Sequence, residues 1–335
     1  MYTRVTSKMM MTAYKRTLSG TMGKVDRDGQ SVTNERKYLS DNEDPVSATR
    51  AYQYRREMAA NDNYSENTTA VRSLLETRDA TLQGMADMAR TVKVDILGAI
   101  TGTTPEQARN AYAQQIDEIQ KSMVQSMNTS YGGRYIFGGS SVNKVPYELD
   151  ADDNLIYRGV AVNSSDTADQ DFLKKLDNET LYVDLGFGLE IEASGKPGSN
   201  SAFNMVSNGV SFLGYGVADN GESVNLIQLC GDLAEEIRKD NPDFDKIRRM
   251  SENFDKAMDA LTVEQTKIGA DMNFMDTNLQ RLEDVNFNLT KKTNATEYIS
   301  EAEAITNFNQ SQYTYQAALQ IGSQILSHSF LDYMR

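Results

Sequence analysis

The hydrophobic pattern of this chain is most regular over residues 254–289. Phe254, Met258, Leu261, Gln265, Ile268, Met272, Met275, Leu279, Leu282, Asn286 and Leu289 follow one another at alternating steps of four and three. Such a seam is the core of a coiled coil, and the polar Gln265 and Asn286 are expected to hold its register at some cost in stability. The pattern predicts one helix from about Asp243 to Tyr298, roughly 80 Å long at about 1.5 Å per residue. A second long helix is predicted from Pro45 to about Leu97. Asp44 is placed to cap it, Pro45 suits its first turn, and Val71, Leu74, Leu82, Met85, Ala89, Val92 and Ile96 form its apolar face. Gly98 and Thr101-Gly102-Thr103 end it. Thr104-Pro105-Glu106-Gln107 then restarts a helix, with Thr104 as cap, Gln107 in the capping-box position and Ala108, Tyr112, Ile116, Ile119 and Met123 inward. The two helices joined at 98–104 are expected to lie antiparallel.

The two ends have a different pattern. From Ile305 through Leu331 there is no Asp, Glu, Lys or Arg, in a chain that is 24% charged. Ile305, Phe308, Gln312, Tyr315, Leu319, Gly322, Leu326 and Ser329 run at steps of three and four, as one side of a helix does. Gln and Ser fill the other sides. Amides and hydroxyls at nearly every turn exclude a membrane span. A helix that avoids charge all round yet stays polar suits burial among other chains, where an unpaired ion would be costly. The alternative, burial inside its own monomer, would leave one charged, wet face. At the other end, residues 1 to about 25 carry Val5, Met9, Met11, Tyr14, Leu18, Met22 and Val25 as a broken apolar stripe. Gly20 and Gly23 weaken an isolated helix there by about 1 kcal/mol each relative to Ala. This arm is expected to need a partner, and residues 26–44 read as a polar linker.

Between Tyr131 and about Asn225 the helical pattern gives way to short β-prone runs between turn signals. Arg134-Tyr135-Ile136-Phe137 lies between glycine pairs, and Leu155–Arg158, Leu181–Leu185 and Leu189–Ile191 read as further strands. Asp150-Ala151-Asp152-Asp153-Asn154 is a turn between two of them. It is not a calcium loop, because Leu155 stands where the tight turn needs Gly and Ala161 where Glu is needed. A helix is predicted from Val224 to Lys239, with Ile227, Cys230, Leu233 and Ile237 inward and Asn241-Pro242 ending it. The fold class expected is mainly α, with long coiled-coil helices, an inserted β-rich domain and two terminal arms.

Charge and chemistry narrow the function. The chain has 335 residues and a net charge of −14, so a nucleic-acid partner is not expected. Twelve acidic residues against Arg158, Lys174 and Lys175 lie between Glu148 and Glu192. The one cysteine, Cys230, sits on an apolar helical face, and the one histidine, His328, lies in the uncharged tail without carboxylates or Cys at ligand spacing. The glycine pairs lack the Gly-Lys-Ser/Thr of a phosphate loop. The N-terminus lacks the apolar run of a secretory signal. No catalytic, cofactor-binding or metal site is expected; this reads as a structural or binding protein rather than an enzyme.

Several stretches together resemble the flagellin-like family. Ser40-Asp41-Asn42-Glu43-Asp44-Pro45-Val46-Ser47-Ala48 is similar to the joint in which Asp-Pro opens the first long flagellin helix, and Ile268-Gly269-Ala270-Asp271-Met272-Asn273 to a segment of the C-terminal helix. The ending Tyr315–Leu326, closing on Leu331-Asp332-Tyr333-Met334-Arg335, resembles the hook–filament junction members of the family, the hook-associated protein 3 group. Tyr131–Ser140 resembles their entry into the β domain, and the middle matches mainly there and at Leu185–Leu189. The resemblance covers roughly residues 1–140 and 240–335.

The resemblance implies export through the flagellar type III apparatus with an export chaperone, without a cleaved signal, and an extracellular place in the flagellum. It implies a short ring of copies of this chain between hook-associated protein 1 and flagellin, with the terminal arms pairing on assembly. The division expected is an arm and linker at 1–44, helices at 45–135, an outer β-rich domain at 136–225, helices at 226–298 and an arm at 299–335. The assembly contacts would then include Val5, Met9, Leu18, Ile305, Phe308, Tyr315, Leu319, Ile321, Ile325, Leu326 and Tyr333. Phe254, Leu261, Ile268, Met275, Leu279, Leu282 and Leu289 would form the coiled-coil core. A minor filament flagellin, or a secreted coiled-coil adhesin or effector, remains as an alternative.

Overall fold

The protein is described here by a computed structural model. It covers residues 7–331 except 102, 103, 142, 189, 192–197, 199–201, 219 and 220; for Ser7 and 325–331 the backbone alone is described. In chain order the elements are α1 (Ser7–Asn34), α2 (Pro45–Ala99), α3 (Glu106–Met127), β1 (Ser130–Tyr131), β2 (Arg134–Tyr135), β3 (Tyr147–Leu149), β4 (Leu155–Tyr157) and β5 (Val160–Ala161). They continue as α4 (Thr167–Asp177), β6 (Tyr182–Val183), β7 (Phe203–Asn204), α5 (Gly209–Leu213), α6 (Leu226–Arg238), α7 (Phe244–Glu297) and α8 (Glu301–Leu331). Two compact units arise: residues 1–62 with 283–335, and residues 63–282.

The unit at 63–282 is built on α2 and α7. Leu75, Leu82, Met85, Val92 and Ile96 of α2 share one core with Phe254, Leu261, Ile268 and Met275 of α7. The two run antiparallel in fixed register, because Lys93 bonds Asp255 (2.6 Å), Gln265 bonds Gln83 (2.7 Å) and Arg72 bonds Asp276 (2.5 Å). Each step along α2 is matched by an equal step back along α7. The seam departs from the predicted heptad at one position: Asn278 is buried and Leu279 only half-buried. The Asn278 amide donates to Thr68 Oγ1 (3.0 Å) and to the Leu185 carbonyl (3.2 Å), so hydrogen bonding rather than apolarity sets which residue turns inward.

At the far end of α2, Gly98 leaves room for the Tyr112 ring of α3, whose atoms lie 2.8 Å from where a Cβ would stand. The predicted capping box does not form. Pro105 occupies the cap position, and Thr104 Oγ1 donates instead to the Gly98 carbonyl at 2.8 Å, tying the loop back onto α2. α3 packs on α6, which opens with Asn225 accepting from the Ile227 and Gln228 amides (3.0 and 3.1 Å). Ile227, Cys230, Leu233 and Ile237 are buried.

The middle of the chain is less strand-rich than its sequence predicts. Among the described residues it forms three small antiparallel sheets, β1-β2, β3-β4-β5 and β6-β7, with strands of two or three residues. Ile136 and Phe137 leave β2 to enter the core, and the predicted strand 181–185 pairs only at Tyr182–Val183. Leu189 lies outside the described residues. The unforeseen α4 is capped by Asp166, which accepts from the Ala168 amide at 3.1 Å. The turn at Asp150–Asn154 forms the β3–β4 hairpin, with Asp150 Oδ1 accepting from the Asp152 and Asn154 amides (2.9 and 2.8 Å). Asp153 takes the positive φ (57°) that such a turn needs. Tyr147 and Tyr157 are buried with ring centroids 4.8 Å apart. Asn128 acts as an extra strand partner for β3, exchanging two bonds with the Tyr147 backbone (2.7 and 3.1 Å).

Candidate assembly surface

The unit at 1–62 and 283–335 carries both arms. The helix α1 runs to Asn34, so the predicted linker at 26–44 shortens to ten residues between α1 and α2. Gly29 lies inside the helix for a packing reason. Its missing Cβ makes room for Phe308 of α8, whose ring comes within 3.2 Å of that position. At the other end of the pair Gly322 of α8 receives the ring of Tyr14 of α1 in the same way. Aromatic and glycine thus exchange roles across the interface, one socket in each helix. The two contacts fix an antiparallel pair.

The shielded positions along α1 as far as Asp28 are Met11, Tyr14, Leu18, Thr21, Val25 and Asp28; along the described side chains of α8 they are Ala304, Phe308, Ser311, Tyr315, Ala318 and Gly322. Both series step by three and four, the spacing of a coiled-coil seam. The sequence stripe through Ile305, Gln312 and Leu319 is therefore offset from the face that α1 covers; only Phe308, Tyr315 and Gly322 belong to both. The tail is half-partnered within its own chain, contrary to the expectation that it gains neighbours only from other chains. On α8 the small Ala304, Ser311, Ala318 and Gly322 share the inward face with Phe308 and Tyr315. Ile305, Tyr313, Leu319 and Ile321 remain outside.

Met9 and Met22 of α1 and Ile305, Leu319 and Ile321 of α8 are exposed, and so is Tyr313, at 75% the most open of the large apolar side chains. Leu18 is half-buried. Ile325 and Leu326 continue the backbone of α8, while their side chains, Val5 and Tyr333 lie outside the described residues.

A clasp at the base positions the pair. The Lys37 amide donates to Glu297 O (2.8 Å), the Ile299 amide to Glu35 O (2.9 Å), and Lys37 Nζ to Ala295 O (2.6 Å). Arg36 lies over the Tyr298 ring at 5.8 Å, and Arg55 pairs with the buried Glu297 carboxylate. Burial and the Glu297 charge push the Tyr38 hydroxyl up beside it. Asp44 caps α2 by accepting from the Ser47 amide at 3.1 Å, and the Ser47 side chain first and then this amide hold its carboxyl below the usual range. Leu289 is buried in the same unit, and Asn286 donates to Asp62 at 2.7 Å. Sequence reasoning singled out neither Glu297 nor Tyr38; the one signal was a carboxylate and an aromatic at the two ends of the same loop pair.

In the other unit the Leu185-Gly186-Phe187 turn is held on the helices. Arg281 Nη2 donates to the carbonyls of Leu185 and Gly186 (3.2 Å each), and its guanidinium lies 4.6 Å from the Phe187 ring. Gly186, at φ 83°, also leaves space for Tyr64. Of the predicted coiled-coil core, Phe254, Leu261, Ile268, Met275 and Leu282 are buried here. Among the described residues no group of three or more His, Cys, Asp and Glu is placed to hold a metal ion. Among them, too, no helix is long and apolar enough to cross a membrane. Cys230 is buried and its thiol is pushed far up by desolvation, which removes the thiolate that nucleophilic chemistry needs.

Residues 7–142 match the bacterial flagellin N-terminal helical region, so the chain is flagellin-like over that span. Among solved structures it resembles one assigned as a flagellar hook-associated protein from Vibrio parahaemolyticus, at 16% identity, over 76% of this chain and 100% of that one, with a TM-score of 0.60. It also resembles FlgL from Bacillus cereus, at 21% identity over 72% and 99% of the two chains, with a TM-score of 0.52. The fold is that of these flagellar hook-associated proteins. Comparison with curated proteins by sequence finds no match.

Proposed function

We propose that this protein is a structural subunit of the bacterial flagellar axis, an adaptor of the hook-associated protein 3 type joining hook to filament, with no catalytic role. The observation that carries the reading is the α1–α8 pair: locked internally by Gly29 and Gly322, it still leaves Ile305, Tyr313, Leu319 and Ile321 outside on a stretch with no charge from 305 to 331. An exposed apolar face without charged neighbours is a protein–protein surface. Copies of the same chain are its first occupants, and hook-associated protein 1 and flagellin lie beyond them on either side. The fold shared with hook-associated structures supports placing the protein at the junction rather than along the filament. Export through the type III apparatus and the outward position of residues 136–225 belong to the same reading. The test is deletion of the gene. Complete hooks without filaments, and flagellin shed into the medium, are expected; filaments of normal length on the mutant would overturn the assignment in favour of a minor flagellin.

A further inference from the structure

The unit at 63–282 contains a half-open cavity of about 260 Å³, close to the lower end of the size range of small-molecule pockets, roughly 300 Å³. It lies between α2, the β1–β2 hairpin and β6–β7. Val71 and Leu74 of α2, Ile136, Val183 and Val206 give it an aliphatic wall, and Tyr135 adds an aromatic face. Two cations, Arg78 and Arg134, line it, and none of its lining side chains is acidic, in a chain of net charge −14.

Arg78 is the unusual member. It is only 6% exposed, yet among the described residues it forms no ion pair. Its bonds run from Nε and Nη2 to the Ile136 carbonyl (3.2 and 3.1 Å) and from Nη2 to the Met205 carbonyl (2.8 Å); Nη1 enters none of them. Glu264 and Asp271 act on it through space, too weakly to offset burial, which pulls the guanidinium down to about 10. A buried cation whose hydrogen bonds all go to carbonyl oxygens is an incomplete arrangement, since a carboxylate facing it gains a charge-assisted bond in a low-dielectric site. The wall beside it offers apolar contact, and the other charge lining the cavity is the Arg134 cation. The volume holds one short apolar group, not a length of polypeptide.

We propose that this cavity binds a small apolar molecule bearing a single carboxylate, with the acid against Arg78 and the hydrocarbon along Val71, Leu74 and Val183. Neither the flagellin-like fold nor the assembly surface requires such a site, and its test is independent of theirs. The full chain is titrated calorimetrically with octanoate, and in parallel with octan-1-ol and octylammonium. Saturable binding of one octanoate per chain is expected, at least tenfold tighter than octanol, with no saturable binding of the ammonium. Val183→Trp, which fills the cavity while leaving the Arg78 guanidinium in the chain, should abolish it, and Arg78→Gln should reduce octanoate to the level of the alcohol. Because Arg78 also ties β2 and β7 to α2, its variant can fail to fold; the acid–alcohol comparison and Val183→Trp then decide. Equal affinity for octanoate and octanol overturns the proposal. So does binding that survives Val183→Trp, which would place it on the exposed apolar faces, or the absence of saturable binding up to about 10 mM.

Discussion

The ring of Tyr14 occupies the space where Gly322 would carry a Cβ. In an isolated helix Gly to Ala is favourable by about 1 kcal/mol, because the alanine backbone loses less entropy on folding. At Gly322 that gain is opposed by overpacking, which costs about 1–3 kcal/mol when a ring must leave its rotamer.

Two substitutions of the same type are therefore expected to have opposite signs. Gly20→Ala, with nothing within 4 Å of the new methyl group, should increase protection of α1 from hydrogen exchange. Gly322→Ala should decrease protection in both α1 and α8, and adding Tyr14→Ala should recover part of the loss. A protective effect of Gly322→Ala alone would show that the socket is not occupied as described.

The socket also shows what the sequence hides. Along 254–289 most heptad positions, Gln265 and Asn286 apart, combine size and apolarity, and charged residues mark the outside, so the inner face of α7 is legible from the letters except where Asn278 turns in for Leu279. In α8 the charges are missing, and nothing in the polarity separates inside from outside. Reading the largest apolar residues as buried selects Ile305 and Leu319, whereas close helix approach selects Ala304, Ser311, Ala318 and Gly322. The middle region hides for another reason. Strands of two or three residues are shorter than the alternation that would announce them, and the apolar face of α4 rests on Leu173 and Leu176 alone. That the tail avoids charge was legible; which side of α8 packs on α1 and which stays exposed was not.

Glu236 should make the stability of the 63–282 unit acid-sensitive. Its burial disfavours charge, but Lys239 Nζ and Lys246 Nζ (2.9 Å each) and the Asp243 amide (3.3 Å) outweigh that and hold it at about 2. A carboxyl depressed in the folded state stabilises above its unfolded value, near 4.5, and loses that contribution as pH falls through the folded one. Glu236→Gln should therefore cost about 2 kcal/mol at pH 7, allowing for the exposure of both lysines, and almost nothing near pH 2. Urea melts across this range provide the check; a deficit independent of pH would contradict it.

Asp95 should show the reverse. It is buried, its Oδ2 has no hydrogen-bond partner among the described residues, and desolvation pushes its carboxyl up. A carboxyl raised in the folded state destabilises at neutral pH and is relieved as it protonates. Asp95→Asn is expected to stabilise by about 1 kcal/mol at pH 7, with the gain shrinking as pH falls and the native carboxyl takes up its proton. A loss of stability at pH 7 would mean that the charged form is satisfied.

The two faces of α8 can be separated by placing one lysine on each. Leu319 is on the open side, 43% exposed, and a lysine there can extend into water in the monomer. Leu319→Lys should leave the α1–α8 pair and its hydrogen-exchange protection unchanged. In an assembled flagellum the same ammonium would be enclosed by apolar groups of neighbouring chains without a counter-ion, a burial that costs several kcal/mol. Incorporation should fail, and cells carrying this variant should resemble the deletion. Ala304, 1% exposed, is on the inner face, so Ala304→Lys should break the pair in the isolated chain before assembly is attempted. Circular dichroism and exchange on the purified monomers, set beside filament counts by electron microscopy, distinguish the two. If Leu319→Lys cells carry filaments at normal frequency while Ala304→Lys cells do not, the pair is needed but its outer face is not a buried contact, and the proposed assembly surface lies elsewhere on the chain.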